Sequence, residues 1–185
     1  MEVRPATSRD LDACFALDAS LNEGRPQAAD EGFLISGDRR QSYDGYRSLG
    51  CFYVCESDKR IVGFAFALPP GSEHFEAIHS QRAGFQMTEA EVWDTPNLGW
   101  MGKVAVQPDW MRRGVGTRLY QRIFSDHPEW SFLTMNVSAP VANIPGARFH
   151  SSCGFEAVGE GLLGDRGALK NVKADVLFRK ATGLS

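Results

Sequence analysis

The segment Trp100 to Tyr120, WMGKVAVQPDWMRRGVGTRLY, constrains this chain more than any other stretch. Val104 to Val106 is a short apolar run that reads as strand, and Gln107 to Trp110, with Pro108, reads as a turn. Arg112-Arg113-Gly114-Val115-Gly116-Thr117 then forms a basic, glycine-containing loop that runs straight into a helix, whose core stripe is Val115, Leu119 and Ile123. Glycine lets the backbone approach a ligand closely, and the first turn of a helix presents N–H groups that favour an anion. Strand, loop and helix in this order read as a phosphate cradle. Two well-known cradles are excluded by spacing. The dinucleotide pattern GxGxxG needs a third glycine where Leu119 stands, and the triphosphate loop GxxxxGK[ST] needs a lysine after its second glycine.

At 185 residues the chain has the length of one domain, 1–185, able to bury a core without disulfides or metal. Hydrophobic content of 43% and charged content of 23% are those of an ordinary globular protein. No apolar stretch approaches the ~20 residues of a membrane span and the amino end lacks a signal-peptide core, so a cytoplasmic protein without a membrane partner is expected. Net charge of −3 argues against a general nucleic-acid binder. Arg112, Arg113, Arg118 and Arg122 nevertheless gather beside the glycine loop, with Arg118 and Arg122 on one helix face; a local anion site and a solvated face are equally good readings of that pair. Cys14, Cys51, Cys55 and Cys153 lack zinc-ligand spacing, and ordinary packing explains them best.

Along the chain, Glu2 to Pro5 reads as a strand, and Thr7 with Asp10 as a capping-box-like start of a helix carrying Leu11, Phe15 and Leu17 to about Ser20. Residues 22 to 36 read as loop, and about Asp38 to Leu49 as a weaker helix. Cys51 to Glu56 and Ile61 to Leu68 form a hairpin closed by Ser57 to Arg60. Ser72 to Leu98 shows no period and reads as an irregular, substrate-facing insertion. His74 and His79, five apart within it, fit no metal pair, and the run Phe85, Met87, Trp93, Trp100 reads as core before it reads as an acceptor pocket. Trp130 to Val137 is a further strand. One helix lies between it and Val104 to Val106, so the two strands are expected to be parallel, with ligand sites at their carboxyl ends. Phe155 to Gly159 and Ala174 to Lys180 supply closing strands.

A second signal is NIPGARFHSSCGF, Asn143 to Phe155. Pro145 suits a first helical turn and Gly154 a stop. This segment resembles motif B of the GNAT superfamily of N-acetyltransferases, NxxAxxxYxxxGF, with Asn143, Gly154 and Phe155 in register, alanine one place late at Ala147, and His150 where the family has tyrosine. The glycine loop likewise resembles that family's motif A, [QR]xxGx[GA], matched from Arg112 to Gly116 but with Met111 in first place. The opening RPATSRDLDACFALD also resembles the family's first strand and helix.

The resemblance implies an α/β (α+β) GNAT fold: a mixed, mostly antiparallel sheet of about six to seven strands, with a parallel pair splayed at the coenzyme site and about four flanking helices. It implies an N-acetyltransferase that takes acetyl-CoA as cosubstrate and moves the acetyl group to a primary amine of a small molecule or peptide, by direct attack in a ternary complex. Pyrophosphate would meet Arg112, Arg113, Gly114, Val115, Gly116 and Thr117. Pantetheine would lie along Val104, Ala105 and Val106, near Asn143 and Phe149. His150 is then the proton donor to the leaving thiolate, and a water held by Asn136 is one route for the amine proton. The carboxylate that many relatives carry on this strand is missing, since Gly102 and Lys103 stand there; Glu91, Asp94, His74 and His79 are the other candidates for a base. A non-catalytic acyl-CoA binding domain, transfer of another acyl group and thioester cleavage are the alternatives, and pairing of two copies as a homodimer is left open.

Overall fold

A computed structural model describes residues 1–22, 24, 28–35, 38–166 and 169–182. Its strands are β1 (Glu2–Pro5), β2 (Phe52–Ser57), β3 (Arg60–Leu68), β4 (Phe85–Met87), β5 (Leu98–Val106), β6 (Ser131–Ala139), β7 (Glu156–Arg166) and β8 (Leu169–Arg179). Its helices are α1 (Leu11–Ser20), α2 (Ala28–Glu31), α3 (Arg40–Ser48), α4 (Glu73–His79), α5 (Val115–Asp126) and α6 (Ile144–Ser152). The strands make one sheet in the order β1-β2-β3-β5-β6-β8-β7-β4, antiparallel throughout except for the parallel β5–β6 pair.

That pair organises the molecule. It is in register over only Leu98↔Ser131, Gly99↔Phe132 and Trp100↔Leu133. Among the described residues the pairing ends at Trp100, and the Thr134 hydroxyl donates to the Met101 carbonyl at 3.0 Å just beyond it. Farther on, β5 stays with β3 while β6 stays with β8, so the two strands part and leave a slot. A β-bulge drives them apart. Ala65 faces Val104 and Ala67 faces Met101, so Phe66 alone spans Gly102 and Lys103. An extra residue of this kind bends its strand and increases its twist.

The two faces of the sheet are covered differently. Leu11 and Leu17 of α1 and Tyr43 of α3 pack with Phe64, Phe66 and Trp100 on one face. Val115, Leu119 and Ile123 of α5 pack with Ala65, Ala67 and Met101 on the other, where Phe149 of α6 and Cys153 just past its end join them. Cys51 and Cys55, four apart on adjoining extended backbone, share this second cluster, as packing cysteines would.

Two stretches are more regular than their sequences suggest. The loop read over 22 to 36 contains α2, a single turn set against α6; its positions 23, 25–27 and 36 lie outside the described residues. The insertion read over Ser72 to Leu98 contains α4, whose first turn is capped by the Ser72 hydroxyl accepting from the Phe75 N–H at 3.3 Å, and β4, which pairs with β7. Its aromatics are core: Phe75, Val92 and Trp93 are buried, Trp93 stacks on Trp100, and Phe85 and Met87 pack against the same cluster. The pattern hid this because helix, strand and short 3-10 turns follow one another too quickly for any one period to repeat. Among the described residues the sheet therefore has eight strands rather than six to seven, and four helices of nine or more residues are joined by two short ones.

At the amino end, Asp10 accepts from the Thr7 N–H at 2.7 Å and is clasped by the Arg4 guanidinium at 2.8 Å, which also reaches Glu56 at 2.6 Å. The Arg4 hydrogen bonds hold the Asp10 carboxyl far below the usual carboxylate range. A carboxyl so depressed adds stability above its unfolded-state pKa of about 4 and loses that contribution as pH falls through the folded-state value. Asp10→Asn is therefore expected to lower unfolding free energy by ~1–2 kcal/mol near neutral pH. The gap between variant and wild type should narrow steadily below about pH 4 in denaturant titrations.

Candidate active site at the β5–β6 slot

The residues expected to hold coenzyme converge on the slot. The carboxyl half of β5, including Val104, Ala105 and Val106, is paired to β3 through one edge, and its other edge faces the gap toward β6. Main-chain N–H and C=O groups on such an edge can pair with an extended, amide-bearing ligand as another strand would.

Past the end of β5 the chain turns through Pro108–Trp110 and enters the glycine loop. Arg112 has φ 60° and Gly114 φ 78°, so two left-handed residues flank Arg113 before α5 begins. Alternation of this kind folds successive N–H groups toward one point, a concavity suited to an anion. Gly114 is the N-cap of α5 and no side chain caps that terminus; the first main-chain bond to close there is Arg118 N–H to the Gly114 carbonyl at 3.0 Å. The N–H groups of Val115, Gly116 and Thr117 thus open onto the loop, at the positive end of a 12-residue helix.

The basic residues around the loop divide. Arg112 and Arg118 are exposed, and Arg113 lies over the Trp110 ring, 5.2 Å from its centroid. Arg122 is bound to Asp126 at 2.9 Å and lies over Tyr53, which makes it part of the outer helix face rather than of an anion site.

Gly116 has a second duty. A Cβ there would come within 3.0 Å of the Phe149 ring, so α6 can rest directly on the first turn of α5. Phe149 also packs edge-on against Tyr120 at 4.9 Å. Asn143 is the N-cap of α6: its Oδ1 accepts from the Gly146 N–H at 3.1 Å while its amide donates to the Phe33 carbonyl at 3.0 Å. Asn136, buried on β6, donates to the Val137 and Asn143 carbonyls, each at 3.2 Å. Its Oδ1 lies so near Gly146 that a Cβ there would be only 2.5 Å away, which explains why the alanine of the motif is displaced by one residue. Both asparagines act here as braces that join β6, α6 and the chain near Phe33. The Nδ2 group of Asn136 is thereby engaged with main chain, while its Oδ1 faces Gly146.

His150 departs from its expected chemistry. It is buried among Tyr120, Phe149 and Phe155, with Nδ1 3.5 Å from the Tyr120 hydroxyl. Burial lowers its pKa to about 4. Near neutral pH the ring is uncharged, so it can offer one N–H as a hydrogen bond but holds no imidazolium proton to release.

Of the other base candidates, His74 contacts Tyr46, His79 stacks on Phe75, and Glu91 and Asp94 belong to a short 3-10 turn. No carboxylate could replace Gly102 either, because a Cβ there would lie 2.1 Å from the Phe66 ring. What sequence reasoning missed is Lys103. Its ammonium is enclosed by Asp18 and Asp38, residues 85 and 65 positions away, and no local spacing could have joined them. Among the described residues no group of three or more His, Cys, Asp or Glu is arranged to hold a metal ion.

The model of the acetyltransferase (GNAT) family matches residues 19–155, well over half of the chain. The chain belongs to this family. No curated protein matches its sequence. The structure of ribosomal-protein-alanine N-acetyltransferase from Brucella melitensis is similar over 97% of this chain and 99% of that one, with a TM-score of 0.66 and 18% identity. Chaetomium thermophilum Naa20, in complex with a bisubstrate analogue, is similar over 97% and 86%, with a TM-score of 0.65 and 15% identity. GphF, a GNAT-like decarboxylase in complex with isobutyryl-CoA, is similar over 98% and 100%, with a TM-score of 0.67 and 15% identity. At these identities the likeness is one of fold, and the GNAT fold is what this chain has.

The His150 environment generates a pH prediction. The unfolded chain binds a proton at this residue near the ordinary value of 6.5, whereas the folded chain binds it only near 4. The unfolded state thus holds more protons in that window, and stability should fall as pH drops across it, by up to ~3 kcal/mol. His150→Gln is expected to flatten this part of the stability–pH curve, as followed by urea unfolding at a series of pH values.

Proposed function

We propose that this chain transfers an acetyl group from acetyl-CoA to a primary amine of a small molecule or peptide, by direct attack with both substrates bound. The observation that carries the reading is the slot itself: an unpaired β5 edge leading to an uncapped helix N-terminus, on the face covered by α5 and α6. The loop from Arg112 to Thr117 fits a pyrophosphate, with Arg112 and Arg113 as screening cations and the N–H groups as the close donors. Val104, Ala105 and Val106 fit the amides of pantetheine, and a main-chain N–H of the same strand fits the carbonyl oxygen on which charge builds during attack. Asn143 and Phe149 contribute by fixing where α6 stands. His150 offers a neutral N–H toward sulfur, and Asn136 sets the shape of the cleft wall. Holding amine and thioester together in the slot supplies much of the rate by orientation alone.

A different acyl group is the second reading, favoured by the isobutyryl-CoA complex of the GphF fold relative. Binding without transfer is a third, favoured by an uncharged His150 and a bulge that cannot take a carboxylate at Gly102. No helix among the described residues is long and apolar enough to cross a membrane, which suits an acceptor met in solution.

Thiol release from acetyl-CoA, followed against a library of amines and peptides, tests the proposal. The expected result is amine-dependent release with a mass gain of one acetyl group on the acceptor. Release with isobutyryl-CoA but not acetyl-CoA would favour the second reading. Binding of coenzyme A by calorimetry with no release would favour the third. Gly114→Val, which places a branched side chain at φ 78°, is expected to weaken coenzyme A binding by ~10-fold or more, because the strain of ~1–3 kcal/mol distorts the loop that should hold pyrophosphate.

A further inference from the structure

The slot passes through the sheet, and the face opposite α5 carries chemistry of its own. Lys103, the second residue of the bulge, turns its side chain toward α1 and α3. Its ammonium lies 2.7 Å from Asp18 Oδ2, 2.8 Å from Asp38 Oδ2 and 3.2 Å from the Ile35 carbonyl, three acceptors for its three donors. The Tyr43 hydroxyl donates to Asp18, and the Tyr46 hydroxyl donates to Asp38 Oδ1 at 3.0 Å. Burial alone would pull the Lys103 pKa down, but the two carboxylates outweigh it and raise the pKa, so the lysine stays charged. Two carboxylates from different segments thus converge on one ammonium.

Of the two carboxylates, Asp38 is the one more open to a second partner. Its side chain keeps 25% of its exposure against 8% for Asp18. Lys103, which holds it, belongs to the stretch of β5 that has parted from β6. The nearby Phe33 carbonyl is tied to Asn143 at the head of α6, on the far side of the slot. The groups that face Asp38 are Lys103 from β5, Asp18 from α1, and Tyr43 and Tyr46 from α3.

We infer that Asp38 is the carboxylate that takes the proton from the acceptor's ammonium, with Lys103 and Tyr46 as the residues that position it; this rests on the acyl-transfer reading above. An N–H bond of R–NH3+ breaks and its proton passes to Asp38. The freed lone pair forms the N–C bond at the thioester carbonyl, the C–S bond breaks, and the leaving thiolate takes a second proton from the same nitrogen. Asp38 then returns its proton to solvent, so one proton is released per turnover. The assignment also accounts for the bare strand: Phe66 fills the space at Gly102, and the carboxylate is supplied from the segment between α1 and α3.

The test compares wild type with Asp38→Asn, a swap of equal size that keeps an acceptor for Tyr46. Thiol release from acetyl-CoA is measured with spermidine, benzylamine and a peptide bearing a free α-amino end, and separately with hydroxylamine, which is largely unprotonated at neutral pH and needs no base. Asp38→Asn is expected to lower kcat for the amines that wild type accepts by ~10²-fold or more, with hydroxylamine turnover and coenzyme A binding nearly unchanged. The lost rate should return as pH is raised and more free amine is present. Retention of full activity with the amines would overturn the assignment. So would an equal loss with amines and hydroxylamine while coenzyme A binding persists. If wild type itself acetylates none of these nucleophiles, the acyl-transfer reading falls and the assignment falls with it, a result distinct from a loss confined to the variant.

Discussion

The crossing of β5 and Phe66 governs this molecule. One aromatic ring on β3 spans two residues of β5, and the bulge this creates turns the carboxyl half of β5 away from β6. Had the parallel ladder continued past Trp100, the main-chain groups that Gly102 to Val106 direct away from β3 would have been consumed by β6. The sheet would be more regular and the slot would be closed. The bulge also sends Gly102 and Lys103 to the same face, which is why one had to be a glycine under the ring and the other could reach α1. A single packing contact thus opens the slot on one side and loads it with charge on the other.

The braces around the slot share a logic. Asn143 and Lys103 end in main-chain carbonyls or carboxylates of distant segments, Asn136 ends in the carbonyls of Val137 and Asn143, and together they tie β5, β6, α6 and the chain between α1 and α3 to one another. Buried polar groups of this kind add little net stability, and their cost when left unpaired is large. Their effect is to allow one arrangement of the cleft walls and to penalise others. Hydrophobic packing on the two faces holds the sheet together, and the polar ties decide where its opening lies.

Much of this is legible in the sequence. Strand, glycine loop and helix from Val104 to Ile123, the hairpin at Ser57 to Arg60 and the capped start at Thr7 follow from local pattern, because each depends on residues within a turn or two of one another, and the parallel relation of β5 and β6 follows from the single helix between them. Family resemblance then located the cleft. What local pattern could not carry was partnership across the chain. His150 looked like an acid because its sequence neighbours say nothing of Tyr120 and Phe155, whose rings exclude water from it. Lys103 reads only as standing where relatives carry a carboxylate, because its partners Asp18 and Asp38 are far from it in sequence. Ser72 to Leu98 looked formless because its elements are each too short to show a period.

The contact of Phe149 with Gly116 has a consequence for how the cleft responds when filled. The loop that would grip the phosphate end of a long ligand and the helix that flanks its reactive end touch through one ring and one missing side chain. With no side chain between them to act as a spacer, a displacement at either end presses on the other through van der Waals contact alone, so under the proposed function the length of the ligand bears on the same joint as its charge.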